Sequence, residues 1–317
     1  MRNYDFDTLT LQVFKYQSRH NQTYREFLDL IHVDVTQIDE LRDIPFCPIS
    51  VFKSGSVKTN QWEDTGYYFL SSGTGGDRSR HDIKDLSKYH LNCQSIFENH
   101  FGRLKDIQVV GLLPHYSDNP HSSLLAMVEY FMNCSQYKGQ YFLNDLDALA
   151  DMIEDNKGHG IRTMVIGVSF ALLDYAHKYK HQLNEDFIII ETGGMKRYRR
   201  EMTKGEMHSI ISDCFDGALI CSEYGMTECL SQAYSYNDTN LMINDSFKVV
   251  ITDPIDPGVI LPNGKTGRIN IIDLANIDAL SFIATDDVGK INSSHPTKFE
   301  VIGRLSSTDL RGCNHLI

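Results

Sequence analysis

Between residues 80 and 225 short apolar runs alternate with amphipathic segments, and this alternation constrains the fold more than any other feature of the chain. Ile107 to Leu113, Thr163 to Gly167, Phe187 to Glu191 and Ala218 to Glu223 have the length and β-branched content of buried strands. Between them, Ser122 to Cys134 and Ser169 to Tyr179 carry helical spacing, and Thr203-Lys204-Gly205-Glu206 is a capping box that opens a further helix. A strand returns parallel to its neighbour only through a crossover, so this cadence predicts βαβ units and a largely parallel sheet flanked by helices.

The flanks read differently. Leu9, Leu11, Val13, Phe14, Phe27 and Leu28 recur at helical spacing until Ile44-Pro45-Phe46-Cys47-Pro48-Ile49, where the prolines forbid a continuing helix. After residue 245 come the short strands Phe247 to Thr252, Arg268 to Asp273 and Lys298 to Gly303. Asp253-Pro254, Asp256-Pro257-Gly258 and Pro262-Asn263-Gly264 separate them as turns. The expected architecture is α/β: a helical N-terminal arm over 1–60, an α/β body over 61–245 and a smaller antiparallel β-rich subdomain over 246–317, all parts of one domain. There is no internal repeat and no low-complexity tract.

Composition narrows the function. With 317 residues, 41% of them hydrophobic and 23% charged, the chain buries a sizeable core, which excludes a disordered tail, a collagen or a coiled coil. Thirty Lys and Arg against forty-two Asp and Glu give a net charge of -12, so the surface repels polyanions and nucleic acid is not an expected partner. A nucleotide is still accommodated, because backbone N–H groups and a metal ion hold phosphates without a basic surface. The seven cysteines are odd in number and widely spread and contain no C-x-x-C, so they read as reduced thiols rather than as a disulfide framework or a zinc cage. The opening residues lack an apolar signal core, and the longest apolar stretch, Met164 to Leu173, is too short to span a membrane; the expected location is the cytoplasm.

Five segments have residues suited to chemistry. Ser71-Ser72-Gly73-Thr74-Gly75-Gly76 follows the expected strand Tyr67 to Leu70. Its glycines let the backbone approach a phosphate, and its hydroxyls add donors; a plain surface turn is the alternative. Ser222-Glu223-Tyr224-Gly225-Met226-Thr227-Glu228 follows a strand at the edge where ligands of α/β sheets bind. There Tyr224 suits a base, Thr227 a phosphate and Glu228 Mg²⁺, the alternative being a strand-to-loop transition. Glu191-Thr192-Gly193-Gly194 ends another strand; Thr285-Asp286-Asp287 is an acidic pair, in isolation a solvated turn; and Gly303-Arg304 precedes Arg311-Gly312-Cys313.

A competing reading comes from Gly167-Val168-Ser169-Phe170-Ala171, which approximates the G-x-S-x-G nucleophile elbow of a serine esterase or thioesterase. Asp253, Asp273 and His295 supply acid and base in the required order. Its alternative is a Ser169 that caps the following helix. The thirteen histidines include no H-E-x-x-H, and His115, after a strand end, is a candidate pocket residue.

Taken together and in this order, the five segments resemble the adenylate-forming superfamily of acyl-CoA synthetases, peptide-synthetase adenylation domains and luciferases. They resemble most the acyl-protein synthetase of the bacterial luminescence fatty-acid reductase, with phenylacetate-CoA ligase as a further relative. The resemblance covers nearly the whole chain, including Phe14-Lys15-Tyr16-Gln17, Tyr24-Arg25-Glu26-Phe27, Ile44-Pro45-Phe46 and Phe52-Lys53-Ser54. It implies ATP- and Mg²⁺-dependent activation of a fatty or aryl acid as acyl-AMP, then transfer to a thiol of a protein cysteine, a phosphopantetheine carrier or coenzyme A. It implies as partner an acceptor protein such as a reductase or carrier.

By the same resemblance Ser71, Ser72, Gly73, Thr74, Gly75 and Gly76 hold the β- and γ-phosphates. Thr192, Gly193 and Gly194 wall the adenine, and Tyr224 stacks on it, followed by Gly225 and Met226. Thr227 meets the α-phosphate, Glu228 binds Mg²⁺, Asp287 takes the ribose hydroxyls and Arg304 lies near the ribose. His115, Gly167, Val168 and Ser169 border the acid, and Cys313 is a candidate acyl-relay thiol.

Departures accompany the matches. Gly75-Gly76 replaces the usual Thr-Gly, Arg78 or Arg80 stands in for a lysine, and Thr285-Asp286-Asp287 replaces T-G-D. Because the chain ends shortly after Gly303, the resemblance also implies that the superfamily's mobile C-terminal domain and its catalytic lysine are absent. A nucleotide-binding module that assembles a complex without turnover is the reading from outside enzymology.

Overall fold

A computed structural model describes residues 5–72, 78–193 and 202–305. Gly73 to Gly76, Gly194 and Cys313 lie outside the described residues. The chain forms two compact units, one of Met1–Tyr89, Thr227–Ser231 and Met242–Ile317, the other of His90–Met226 and Gln232–Leu241.

In the second unit the expected parallel sheet is present. Gln108–Leu112, Thr163–Val168, Phe187–Thr192 and Leu219–Tyr224 lie side by side and parallel, with Gln140–Tyr141 on one edge and Ala233–Tyr234 antiparallel on the other. Strands buried on both faces need no polar alternation, which is why they read as continuous apolar runs. On one face Val110, Val165, Ile189 and Ile220 pack with Leu149 and Ile153 of helix Leu146–His159, Leu172 of helix Ser169–Ala176 and Ile211 of helix Lys204–Cys214. Each such buried aliphatic side chain contributes about 1.5–3 kcal/mol. Asp145 caps Leu146–His159 and Gly160 ends it in the left-handed conformation, φ 64°. The expected capping box is made: Thr203 accepts from Glu206 N–H, and the Glu206 carboxylate accepts from Thr203 N–H.

In the first unit Phe247–Thr252, Gly267–Asp273, Phe282–Ile291 and Lys298–Arg304 form an antiparallel sheet, and Cys47–Pro48 pairs parallel with Ile283 and Ala284. Phe282–Ile291 is a strand that the sequence reading did not include, and it removes the solvated turn that was the alternative for Thr285-Asp286-Asp287. The pair sits inside the longest strand of the sheet, where alternation turns Asp286 out to solvent and Asp287 inward.

Helices Phe6–His20 and Gln22–Leu30 are built into this same unit. Fully buried Phe14 meets Tyr24 edge-on at 6.1 Å and Phe282 at 6.0 Å, and Tyr24 stacks on Phe282 at 5.9 Å. Buried Gln17 donates to the carbonyls of Ile277 and Asn276 at 3.1 and 3.2 Å and accepts from Ser281 N–H at 2.9 Å. Among the described residues no helix is long and apolar enough to cross a membrane.

Candidate active site

Within the first unit the strands Tyr68–Leu70 and Arg80–Asp82 pair as a hairpin that brackets the glycine-rich run. Ser71 and Ser79 close it: Ser71 N–H donates to Ser79 O at 3.0 Å, and Ser79 N–H donates to Ser71 Oγ at 3.0 Å. The Ser79 hydroxyl hydrogen-bonds the buried Glu228 carboxyl. Burial raises the Glu228 pKa, while Ser79 and the charges of Arg304 and Lys53 oppose the rise. Arg80 Nε pairs with Asp82 at 2.8 Å.

The segment carrying Thr227 and Glu228 is held from several sides by buried groups. Asn276 Nδ2 donates to Glu228 O at 2.8 Å. Asp273 accepts the N–H groups of Leu230 and Ser231 at 2.7 and 3.1 Å and the Ser231 hydroxyl at 2.6 Å. His81 Nδ1 lies 2.9 Å from Thr227 O; a carbonyl only accepts, so Nδ1 carries the proton. Neither His81 nor Asn276 stood out as a site residue, and Asp273 was read only as a candidate acid for an esterase, since nothing local in the sequence marks a residue that holds a loop far along the chain.

Burial pushes the His81 pKa down to about 4. Folded protein therefore binds fewer protons than unfolded chain between the ordinary histidine value and that level. The stability His81 contributes is complete above pH ~6.5 and is lost as pH falls towards 4, by ~3 kcal/mol. His81→Asn keeps a donor at the place of Nδ1 and does not titrate there. Its urea midpoint is expected to fall less between pH 7 and 4 than that of wild type; equal falls would refute the assignment.

Asp287, buried, accepts from Arg304 Nε at 3.0 Å across the paired strands, so both sequence-predicted ribose residues come together.

In the second unit the carboxyl ends of adjacent parallel strands exchange hydroxyls and carboxylates. Ser222 pairs with Glu191 and Glu223 with Thr192 in register. Ser222 Oγ donates to Glu191 Oε2 at 3.0 Å, and Thr192 Oγ1 donates to Glu223 Oε2. Lys204 Nζ lies 3.5 Å from Glu191 Oε2. Buried Glu223 has its pKa raised to about 7, first by burial and then by the charge of Glu191, with Thr192 and Lys204 opposing. Gly193 has φ 84°, a conformation that side chains disfavour. Tyr224 is half-buried at the end of its strand.

Ser169 is buried as the first residue of its helix, and its hydroxyl donates to Glu191 Oε1 at 2.5 Å and Gly193 O at 3.0 Å. It is thus neither a helix cap nor a serine activated by histidine. His208 Nε2 reaches Ser222 at 2.9 Å, not Ser169. Asp273 is occupied as described, and Asp253 accepts the N–H groups of Ile255 and Asp256. This geometry removes the esterase reading. Gly167 is closely packed, since a Cβ there would lie 2.9 Å from Leu172, and Val168 is half-buried beside it. His115 is exposed, 2.9 Å from Ser117 Oγ. The carboxylates Glu191 and Glu223 were passed over as site residues, although an acidic residue closing an apolar strand run is a readable signal.

Residues 3–107 and 141–317 match the family described as "Acyl-protein synthetase, LuxE". The chain belongs to this family. The acyl-protein synthetase family is one of enzymes, and the chain is a ligase. It is similar to the long-chain-fatty-acid–luciferin-component ligase of Vibrio harveyi, at 22% identity over 328 residues covering 95% of this chain and 84% of that protein. A ligase of the same description from Photorhabdus luminescens is 38% identical over 72 residues, 23% of this chain and 61% of that protein. Among solved structures, a 2-hydroxyisobutyryl-CoA ligase in the postadenylation state superposes with a TM-score of 0.67 at 14% identity, over 94% of this chain and 66% of that one. ATP-bound MatB of Rhodopseudomonas palustris superposes with a TM-score of 0.55 at 18% identity over 78% of this chain; the matched part spans about half (50%) of MatB. The fold is that of adenylate-forming ligases.

Proposed function

We propose that the chain activates a long-chain fatty acid with ATP and passes the acyl group to a protein thiol. The observation that carries this reading is the buried Glu228 carboxyl beside Ser79, in a segment pinned by His81, Asn276 and Asp273. Fatty acid is the class because both curated relatives are named for long-chain fatty acids, and a protein is the acceptor because the family is described as acyl-protein synthetases.

On the first unit we assign Ser71 to Gly76 to the β- and γ-phosphates, Thr227 to the α-phosphate and Asp287, oriented by Arg304, to the ribose. On the second we assign Thr192, Gly193, Gly194 and Tyr224, with Gly225 and Met226, to the adenine, and His115, Gly167, Val168 and Ser169 to the acid. Among the described residues no cluster of three or more His, Cys, Asp or Glu is arranged to cage a metal. A single carboxylate fits Mg²⁺, which is usually held by one or two carboxylates together with substrate phosphates. Glu228 would hold that ion, whose charge neutralises phosphate oxygens when bound.

In the proposed reaction a carboxylate oxygen of the acid bonds to the α-phosphorus as the bond to the β-phosphate oxygen breaks, releasing pyrophosphate. Thr227 and the serine hydroxyls donate to phosphate oxygens as their charge grows. A thiolate then attacks the acyl carbon, and AMP leaves. Burial raises the thiols of Cys47, Cys214 and Cys221 to about 12 and that of Cys229 well above its ordinary value, which makes them poor nucleophiles. An acceptor on a partner protein, a coenzyme A or phosphopantetheine carrier thiol, or a relay through Cys313 is compatible with that.

The test is ATP–pyrophosphate exchange with Mg²⁺ across fatty acids of increasing length and aryl acids. Exchange stimulated most by long-chain fatty acids is expected. ATP binding without exchange for any acid would leave a non-catalytic assembly module in its place.

A further inference from the structure

The sheet face that carries Ile188, Ile190, Leu219 and Cys221 is apolar until its carboxyl end, where it meets Thr192 and Glu223. A buried carboxyl there costs stability that an apolar residue would not, and such costs collect at functional sites. Glu223 pairs in register with Thr192 of the neighbouring strand and with Tyr234 of the antiparallel edge strand, and the charges of Glu191 and Lys204 act on it from nearby. One carboxyl oxygen accepts from Thr192 Oγ1, while the other lies against the Cα of Gly225, where any Cβ would collide with it. Gly225 thereby leaves the room that this oxygen occupies, and a side chain there would make the Glu223 carboxyl shift.

We infer that Glu223 is a positioning residue: its carboxyl, gripped by Thr192 and seated on Gly225, holds the Thr192-Gly193 strand end and the Tyr224-Gly225 turn at a fixed spacing, and that spacing sets how the flat base of the nucleotide is received. The inference rests on the proposal that these two segments hold the adenine. It makes Glu223 a determinant of ATP affinity and not of acid affinity. Glutamine preserves the clamp, because its side-chain oxygen accepts from Thr192 as the carboxyl does.

The experiment measures the Kd for ATP by equilibrium dialysis, and the KM for ATP and for the acid in exchange, for wild type, Glu223→Ala, Glu223→Gln and Thr192→Val. Glu223→Ala is expected to weaken ATP binding about tenfold with the acid KM within about twofold, Glu223→Gln to restore wild-type affinity, and Thr192→Val, which keeps side-chain volume, to weaken ATP about threefold or more. Should Glu223→Ala fail to fold, Thr192→Val and Glu223→Gln decide the matter. ATP Kd values unchanged in the variants, or equal losses for ATP and acid, overturn the clamp while leaving the adenine assignment standing. A wild-type protein that binds no ATP overturns that assignment and the clamp with it.

Discussion

Glu228→Ala is expected to reduce acid-dependent ATP–pyrophosphate exchange by about 10²-fold or more while the protein remains folded. Charge held where a transition state gathers negative oxygens is commonly worth about 10²–10³ in rate. In the resting fold the carboxyl is buried with a raised pKa and is hydrogen-bonded by Ser79. A dication in its first coordination shell would restore the ionised form. The variant is well separated from a folding defect, because the segment is held through main-chain atoms: Thr227 O by His81, Glu228 O by Asn276, and the N–H groups of Leu230 and Ser231 by Asp273. Removing a poorly solvated carboxyl from such a site leaves thermal stability equal or higher. Exchange rates and a thermal melt on the same samples decide the point; exchange within tenfold of wild type would sink the assignment of Glu228 to the metal.

Phe282→Ala should destabilise the protein by about 3–5 kcal/mol, the usual cost of deleting a buried phenylalanine. Phe282 is fully buried where the long strand Phe282–Ile291 meets the N-terminal helices, with rings of Phe14 and Tyr24 on it. Truncation leaves a cavity bounded by two other aromatic rings that cannot all collapse into it. Urea unfolding measures the loss. A cost under about 1 kcal/mol would mean that the N-terminal helices are appended to the sheet rather than integral to it.

The parallel sheet was legible because strands covered on both faces are spelled as unbroken apolar runs, as at Met164-Val165-Ile166 and Ile188-Ile189-Ile190. Phe282–Ile291 was missed because Thr285-Asp286-Asp287 interrupts its apolar pattern, and what stabilises that acidic stretch, the Arg304 guanidinium, lies on the next strand. Helix Leu146–His159 carried its signals, Asp145 at one end and Gly160 at the other, yet Asp, Glu, Asn and Lys between them dilute the apolar stripe. At the candidate site, motif residues were readable because their neighbours in sequence are their neighbours in space. The loop-holding roles of His81, Asp273 and Asn276 were not, since each acts on Thr227–Ser231 across 42 or more residues of chain for the aspartate, 48 for the asparagine and 146 for the histidine. Ser169 left an esterase open as an alternative because a small-residue turn between strand and helix has the same spelling whether its hydroxyl meets a histidine or, as here, a glutamate.

The pairing of the first helix with the far end of the chain sets a timetable for synthesis. Gln17 is held by Ala279 O, a partner 262 residues downstream. At ~5–20 residues per second a ribosome needs roughly 13–50 s to deliver that partner. Residues His90–Met226 and Gln232–Leu241, which emerge in the interval, have every strand of their sheet before the N-terminal helices meet theirs. The order of maturation on the ribosome therefore runs against the order of translation: the packing of Phe14 and Tyr24 on Phe282 is completed last, although the helices that carry them are made first.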